Sequence, residues 1–319
     1  MNSPAQIGRT QALPASSKQA KRSWLNRVGQ EWKRNRFAYI VMLPVLVHFL
    51  LFEFGPFVFS FVLTFMNWKL IGTPQFVGLA NWRNSFNDPL VWQALRNTVL
   101  FAAYYVVPTI VLGFVMALII NTGVRGTKVF KTLVLMPFVT SGVIIAGIWQ
   151  YIFKGSESGL FNVLLSWFGI GPQIYFSSPQ LAMLVLAALS IFRVSGYLMI
   201  YYLAGLQSIP PYLYEAADID GATAWQKTWN ITIPLLQPIH FFVAIITTIS
   251  AFQVFEQMFV ITKGGPAFAT TTIVYYLYQM GFNMLRLGYA TVLAFILFVV
   301  IFVLSLIQRR YLGKEVSYY

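Results

Sequence analysis

Residues 207–238 read QSIPPYLYEAADIDGATAWQKTWNITIPLLQP, a polar stretch between two apolar runs, 179–206 and 239–262. Pro210 and Pro211 are suited to open a short helix, because proline is tolerated in a first turn, where its missing N–H is not needed. Leu213, Ala216 and Ala217 give that helix a small apolar face. Asp220-Gly221 is a turn signal, with glycine free to take positive φ. Residues 222–229 predict a second short helix, and Pro234 and Pro238 mark entry into the next apolar run. Three of the nine acidic residues fall here: Glu215, Asp218 and Asp220. The stretch reads as two short helices at an angle, projecting from an apolar body. Their small outward residues would let another protein approach closely.

The apolar body follows from composition. The 319 residues are 58% hydrophobic and only 10% charged, with mean hydropathy +0.67. A soluble domain carries about 25% charged residues, so there is too little polar surface here to cover a water-facing globule. With no cysteine, the chain has no disulfide framework, thiolate zinc site, iron–sulfur ligation or thiol nucleophile. His48 and His240 sit in different apolar segments and suggest no metal cluster. The net charge of +13 does not point to nucleic acid, since the basic residues flank apolar segments instead of forming a groove.

A bilayer core of about 30 Å needs about 20 helical residues. Six segments qualify: 38–66, 98–120, 130–153, 179–206, 239–262 and 288–308. Pro44 and Gly55-Pro56 predict a tilt or kink in the first. Positive-inside counting places the N-terminus in the cytoplasm. Fifteen of the 22 basic residues then lie inside, six lie outside, and Arg193 lies within a span. Both termini are expected on the cytoplasmic side, which makes 207–238 the longest inside loop. The chain divides into a basic tail over 1–37, a six-helix transmembrane domain over 38–310 and a short tail over 311–319. Within the first tail, residues 18–36 can form a basic helix with Trp24, Leu25, Val28 and Trp32 on one face; it is either a topology signal with no further role or a helix lying on the inner leaflet. No internal repeat is visible, which speaks against an inverted-repeat transporter.

The run Glu215-Ala216-Ala217, Asp220-Gly221-Ala222 and Ile231-Thr232-Ile233-Pro234 resembles the EAA signature of permease subunits of binding-protein-dependent ABC importers. Ile209-Pro210 and Leu213-Tyr214 are similar to its carbohydrate, MalF-type branch, although Trp229 stands where that branch usually has Phe. Phe76-Val77-Gly78-Leu79-Ala80-Asn81, Leu206-Gln207 and Gly264-Gly265-Pro266 extend the likeness over roughly 38–310. The resemblance implies an all-α MalF/MalG-like permease fold in the bacterial inner membrane. It implies a second, related permease subunit, a cytoplasmic ABC ATPase dimer, an extracytoplasmic solute-binding protein and a sugar substrate. It also implies that Glu215, Ala216, Ala217, Asp220 and Gly221 dock in a cleft of the ATPase. Glu215 would pair with a basic group there, and Gly221 would set the angle between the two helices. The chain lacks a GxxxxGK[ST] phosphate loop, so it cannot be the ATPase; the resemblance implies that ATP and Mg are bound by the partner ATPase, with no cofactor expected in this chain.

Charges at membrane depth are costly and usually line a path. Ser190, Arg193 and Tyr197 share one face of the fourth span. Ser250, Gln253, Glu256 and Gln257 form a polar face in the outer half of the fifth, and Glu53 lies in the first. We take Ser190, Arg193, Tyr197, Ser250, Gln253 and Glu256 as the candidate substrate path, with Phe252 and Phe255 as aromatic faces for a sugar. In the resembled permeases the central site is built on these two spans, and Ser190, Tyr197 and Gln253 fall at matching places. Arg193 alone leaves an acidic sugar or a glycerol phosphate open beside the neutral mono- to oligosaccharide that is the default. Arg193 pairing with Glu53 or Glu256 as packing glue is the competing reading of the charges. At the level of function, the rival is a gradient-driven secondary transporter or channel using Glu53, Glu256 and Arg193 as a proton relay. An intramembrane enzyme is disfavoured, because all three Asp residues lie in loops.

Overall fold

A computed structural model describes residues 35–69, 72–123 and 125–313. The basic helix expected over 18–36 and most of the two tails lie outside the described residues. The chain forms two units, one ending at Phe59 and one beginning at Ser60. The described residues of the first belong to helix α1 (Asn35–Leu63), which runs on into the second. Its irregularity is a π turn over Phe49–Phe54, placed where the Gly55 N–H bonds back to Leu50 O. A Cβ at Gly55 would sit 2.9 Å from that oxygen, so glycine lets the turn form without a clash.

The second unit begins with a two-stranded antiparallel ribbon, β1 (Met66–Asn67) against β2 (Gln75–Phe76). Asn81, in α2 (Ala80–Asn87), closes it. Its side-chain amide donates to Thr64 O at 3.0 Å and Met66 O at 2.9 Å. Helix α3 (Pro89–Asn121) starts where the Asp88 carboxylate accepts from Leu90 N–H at 2.9 Å, with proline in its first turn. At 33 residues it is about 50 Å long, and it starts well before the expected 98. The polar residues upstream are helical because they are bonded across the fold. Asn97 donates to Phe268 O at 2.8 Å and to Thr271 O at 3.0 Å.

The expected third span is not one straight helix. It is α4 (Thr127–Val139) and α5 (Gly142–Ile152), bent by 98°. Thr140 and Ser141 adopt extended backbone between them, ψ 143° and 130°. After α6 (Leu160–Ser166), α7 (Ala182–Ser208) is continuous. Two helices then make the projecting pair: α8 (Pro211–Ile219) and α9 (Ala224–Leu235). A 69° bend leads from α9 into α10 (Gln237–Phe252).

The expected fifth span also breaks, ending as a helix at Phe252 and resuming toward a π turn over Met258–Thr262. Backbone freed by such a break must find partners, and the Thr272 hydroxyl donates to Val254 O at 3.1 Å. Helices α11 (Ile273–Tyr278) and α12 (Leu287–Leu312) complete the unit. Among the described residues, counting each bent pair as one span, six helical segments are long and apolar enough to cross a membrane; four of them are unbroken.

Two apolar cores stack along α3, α7 and α10. One holds Phe101, Met183, Leu186, Met258 and Leu293. The other holds Met116, Leu198, Met199, Tyr202 and Leu236. Close backbone contact needs glycine at two crossings. A Cβ at Gly113 would lie 2.9 Å from Leu198 Cβ, and one at Gly196 would lie 2.1 Å from Val134 O on α4. Many large apolar side chains, such as Val107, Phe192, Phe298 and Phe302, stay exposed, as lipid-facing helices require.

At the end of the bundle bearing the ribbon, Asp88 ties three elements together. Besides capping α3, it accepts from the Tyr276 hydroxyl of α11 and the Tyr289 hydroxyl of α12, both at 2.6 Å. Burial acts to raise the Asp88 pKa. The bonds from Tyr276, Tyr289 and the Leu90 N–H, with the nearby Arg286 charge, outweigh it and hold the carboxyl below its ordinary range.

Candidate functional site: a polar cavity and a projecting helix pair

The breaks in the third and fifth segments meet. A Cβ at Gly142, the first residue of α5, would fall 2.2 to 2.3 Å from both carboxylate oxygens of Glu256. The absent side chain at 142 is therefore the space that the Glu256 carboxylate fills. Arg193 Nη1 on α7 donates to Glu256 Oε2 at 2.7 Å. One turn away, Gln257 Nε2 donates to Ser190 Oγ at 2.6 Å, and Ser190 in turn donates to Leu186 O at 2.8 Å. Helix α7 is thus clamped to the broken segment at two neighbouring points, one charged and one neutral.

Beside this clamp lies a cavity of about 290 Å³, with Arg193, Glu256, Gln253 and Ser250 on its polar side and Phe101, Tyr105 and Phe255 on its aromatic side. Its dimensions and mixed lining suit a small polyhydroxylated ligand, which needs planar donors and acceptors beside apolar ring faces. Five of the six residues read from the sequence as a path, namely Ser190, Arg193, Ser250, Gln253 and Glu256, line this one cavity.

Tyr197 does not join them. Its ring stacks on Phe138 at 4.2 Å with an interplanar angle of 3°, and its hydroxyl bonds that of Tyr201. Sharing a helix face is not sharing a depth, since seven residues advance about 10 Å along the axis from Ser190. Of the two partners considered for Arg193, Glu256 is in contact with it.

The sequence reading passed over Phe101 and Tyr105, which come from α3. Aromatic residues in an apolar helix carry no signal of their own. Gly142 was also passed over, although Thr140-Ser141-Gly142 inside an apolar run is a breaker signal.

At the other end of α7, α8 and α9 form the projecting pair. Gly221 takes φ +74° at the turn between them, and Ala222 N–H closes the end of α8 onto Ala217 O at 2.9 Å. Thr223 caps α9 reciprocally with Gln226, a capping box. Lys227 Nζ meets Asp218 Oδ1 at 2.6 Å, and the Tyr214 and Thr232 hydroxyls bond at 2.9 Å, so the two helices hold each other. Glu215, Ala216, Asp220 and Gly221 are exposed, while Ala217 is half-buried.

Residues 109–316 match the sequence profile of the family described as binding-protein-dependent transport system inner membrane component. The chain is 31% identical to the arabinooligosaccharides transport system permease protein AraP of Bacillus subtilis, over 98% of each chain. It is 32% identical to the sn-glycerol-3-phosphate transport system permease protein UgpA of Agrobacterium fabrum, covering 88% of this chain and 96% of that one. A chain of a bacterial alginate ABC transporter, solved in complex with an alginate pentasaccharide-bound periplasmic protein, superposes with a TM-score of 0.79. There the identity is 27%, over 91% of this chain and all of that one.

Proposed function

Since the chain belongs to the family of binding-protein-dependent transport system inner membrane components, we propose that it forms half of the sugar path of an ATP-driven importer. It is a multi-pass permease subunit of the cytoplasmic membrane and not itself an enzyme. Its partners are a second permease subunit, a separate ATPase and a solute-binding protein on the outer side. The match over 109–316 carries this reading, because that stretch includes the polar side of the cavity and the projecting helix pair.

In this reading both termini and the pair α8–α9 face the cytoplasm. Glu215, Ala216, Ala217, Asp220 and Gly221 form the surface that enters the ATPase, and ATP and Mg are held there, not in this chain. Rocking of the two permease subunits would expose the cavity to each side in turn. Arg193, Glu256, Ser190, Ser250 and Gln253 line the path, with the aromatic rings beside them. The gradient-driven alternative gives no role to the projecting pair, whose exposed acidic and small residues are unexplained by transport through a lone chain.

The test is co-purification from native membranes in mild detergent. Wild type should recover an ATPase subunit, and the Glu215→Ala, Gly221→Trp variant should lose it while keeping wild-type expression and thermal stability. Wild type recovered alone across detergents, with gradient-driven uptake by the lone chain, would sink the importer reading.

A further inference from the structure

The charge inventory of the cavity bears on its cargo. Of its twelve lining residues only Arg193 and Glu256 are charged, and they are in direct contact at 2.7 Å. An unpaired guanidinium would make this a site for a carboxylate or phosphate, since Arg binds such groups through two parallel donors. Here the carboxylate is already supplied by the protein. It is also held in place. Glu256 fills the hollow over Gly142, where a Cβ would meet both of its oxygens at 2.2 to 2.3 Å. The next residue, Gln257, is bonded to Ser190 on the same helix as Arg193. Of the other Arg193 donors, Nε is sealed from solvent, so any anion entering the cavity would have to approach the Nη side, where the Glu256 carboxylate already sits.

We propose that Glu256 is the specificity-determining residue of this cavity, neutralising the Arg193 guanidinium so that the path selects uncharged polyhydroxylated cargo over uronates and sugar phosphates. An anionic cargo would have to displace Glu256 from both Arg193 and the Gly142 hollow, or enter beside a carboxylate of like charge. A neutral saccharide meets the Gln253 amide and the Phe255 and Tyr105 rings without disturbing the pair. This inference rests on the importer reading for the identity of the cavity as a cargo path. It is a statement of discrimination built by repulsion as much as by fit.

The test avoids the solute-binding protein, which would impose its own selectivity. The assembled permease–ATPase complex in nanodiscs is probed by saturation-transfer difference NMR with maltotriose and with trigalacturonate at equal concentration. In wild type the maltotriose signal should exceed the trigalacturonate signal by about tenfold, the scale expected when one ligand carries an unpaired charge into a matched site. E256Q, which frees the guanidinium, should bring the two within about threefold by raising trigalacturonate. The R193Q/E256Q double variant, neutral again, should restore the preference for maltotriose, which a merely unfolded or loosened cavity would not do.

Three results overturn the proposal: trigalacturonate equal to maltotriose in wild type, a ratio unmoved by E256Q, or no signal from either sugar. The importer reading is judged separately by ATPase co-purification and ATP-driven uptake, so it can survive the failure of this proposal.

Discussion

Asp88 and Gly196 show what single residues contribute to a bundle that cannot use burial from water within the bilayer. Asp88 caps α3 and accepts from two tyrosines on other helices. Bonds to a charged acceptor contribute about 1.5–3 kcal/mol each, so Asp88→Asn should lower the midpoint of thermal unfolding in detergent. Its pH dependence follows from linkage. A carboxyl held below its ordinary range adds stability that is fully present above the unfolded value, about 3.9. That stability is lost as pH falls through the folded value. Melting curves taken downward from pH 7 should therefore separate wild type from Asp88→Asn above that window and converge below it. Curves parallel at all pH values would rule out the node.

Gly196 tests packing alone. A side chain there meets the Val134 carbonyl, so Gly196→Leu should cost about 1–3 kcal/mol by overpacking. Gly147, in α5 with open space around it, should accept Ala without loss. At this scale much is legible in the sequence. Arg193 and Glu256 stand out because charge at depth is rare, and Asp220-Gly221 reads as a turn. What is not legible is partnership. That Arg193 meets Glu256 depends on Gly142 leaving room, and Gly142 lies fifty residues away in an apolar run.

Among the elements, the long apolar runs predict helices well, because an apolar stretch of membrane length has no other stable form in lipid. The breaks were not anticipated. Hydropathy is blind to the bend between α4 and α5, since Thr140 and Ser141 barely lower a window average. It is equally blind to the end of α10 at Phe252. Gln253, Glu256 and Gln257 read, with Ser250, as one face of a continuing helix, whereas these three cluster because the helix stops at Phe252 and turns them into the cavity.

The projecting pair is the converse case. Its proline, glycine and capping signals all predict α8 and α9, although α9 continues past the expected 229 to Leu235. The two forces holding that pair differ in strength. Thr223→Ala removes the capping box at a cost of about 1 kcal/mol, and the amides of residues 225–228 should exchange roughly fivefold faster by mass spectrometry. Asp218→Asn breaks the 2.6 Å contact with Lys227, but the carboxylate is largely exposed, so the change should stay under about 1 kcal/mol. The reverse ranking would mean that the ion pair, not the cap, sets the hairpin.

For the molecule as a whole, the decisive question is which way the chain threads the membrane. The excess of Lys and Arg in the inside flanks, more than half of it in the N-terminal tail, leads us to expect both termini in the cytoplasm. By the count of spans the α8–α9 pair is expected there with them, and the entire coupling scheme depends on that expectation. If α8–α9 faced outward, no cytoplasmic ATPase could reach Glu215 and Gly221. The native sequence contains no cysteine, so a single introduced thiol reports its side without background. Ile219, at the tip of α8, is 87% exposed, and Phe168, beyond α6, is 80% exposed. Neither packs into a core, so substitution should leave the fold intact. Ile219→Cys in spheroplasts should react with a membrane-impermeant maleimide only after permeabilisation, and Phe168→Cys should react at once. With an ATPase bound, labelling of Ile219→Cys in permeabilised membranes should fall further, because the docked subunit covers the pair. Immediate labelling of Ile219→Cys in sealed spheroplasts would invert the topology and remove the basis for docking at this loop.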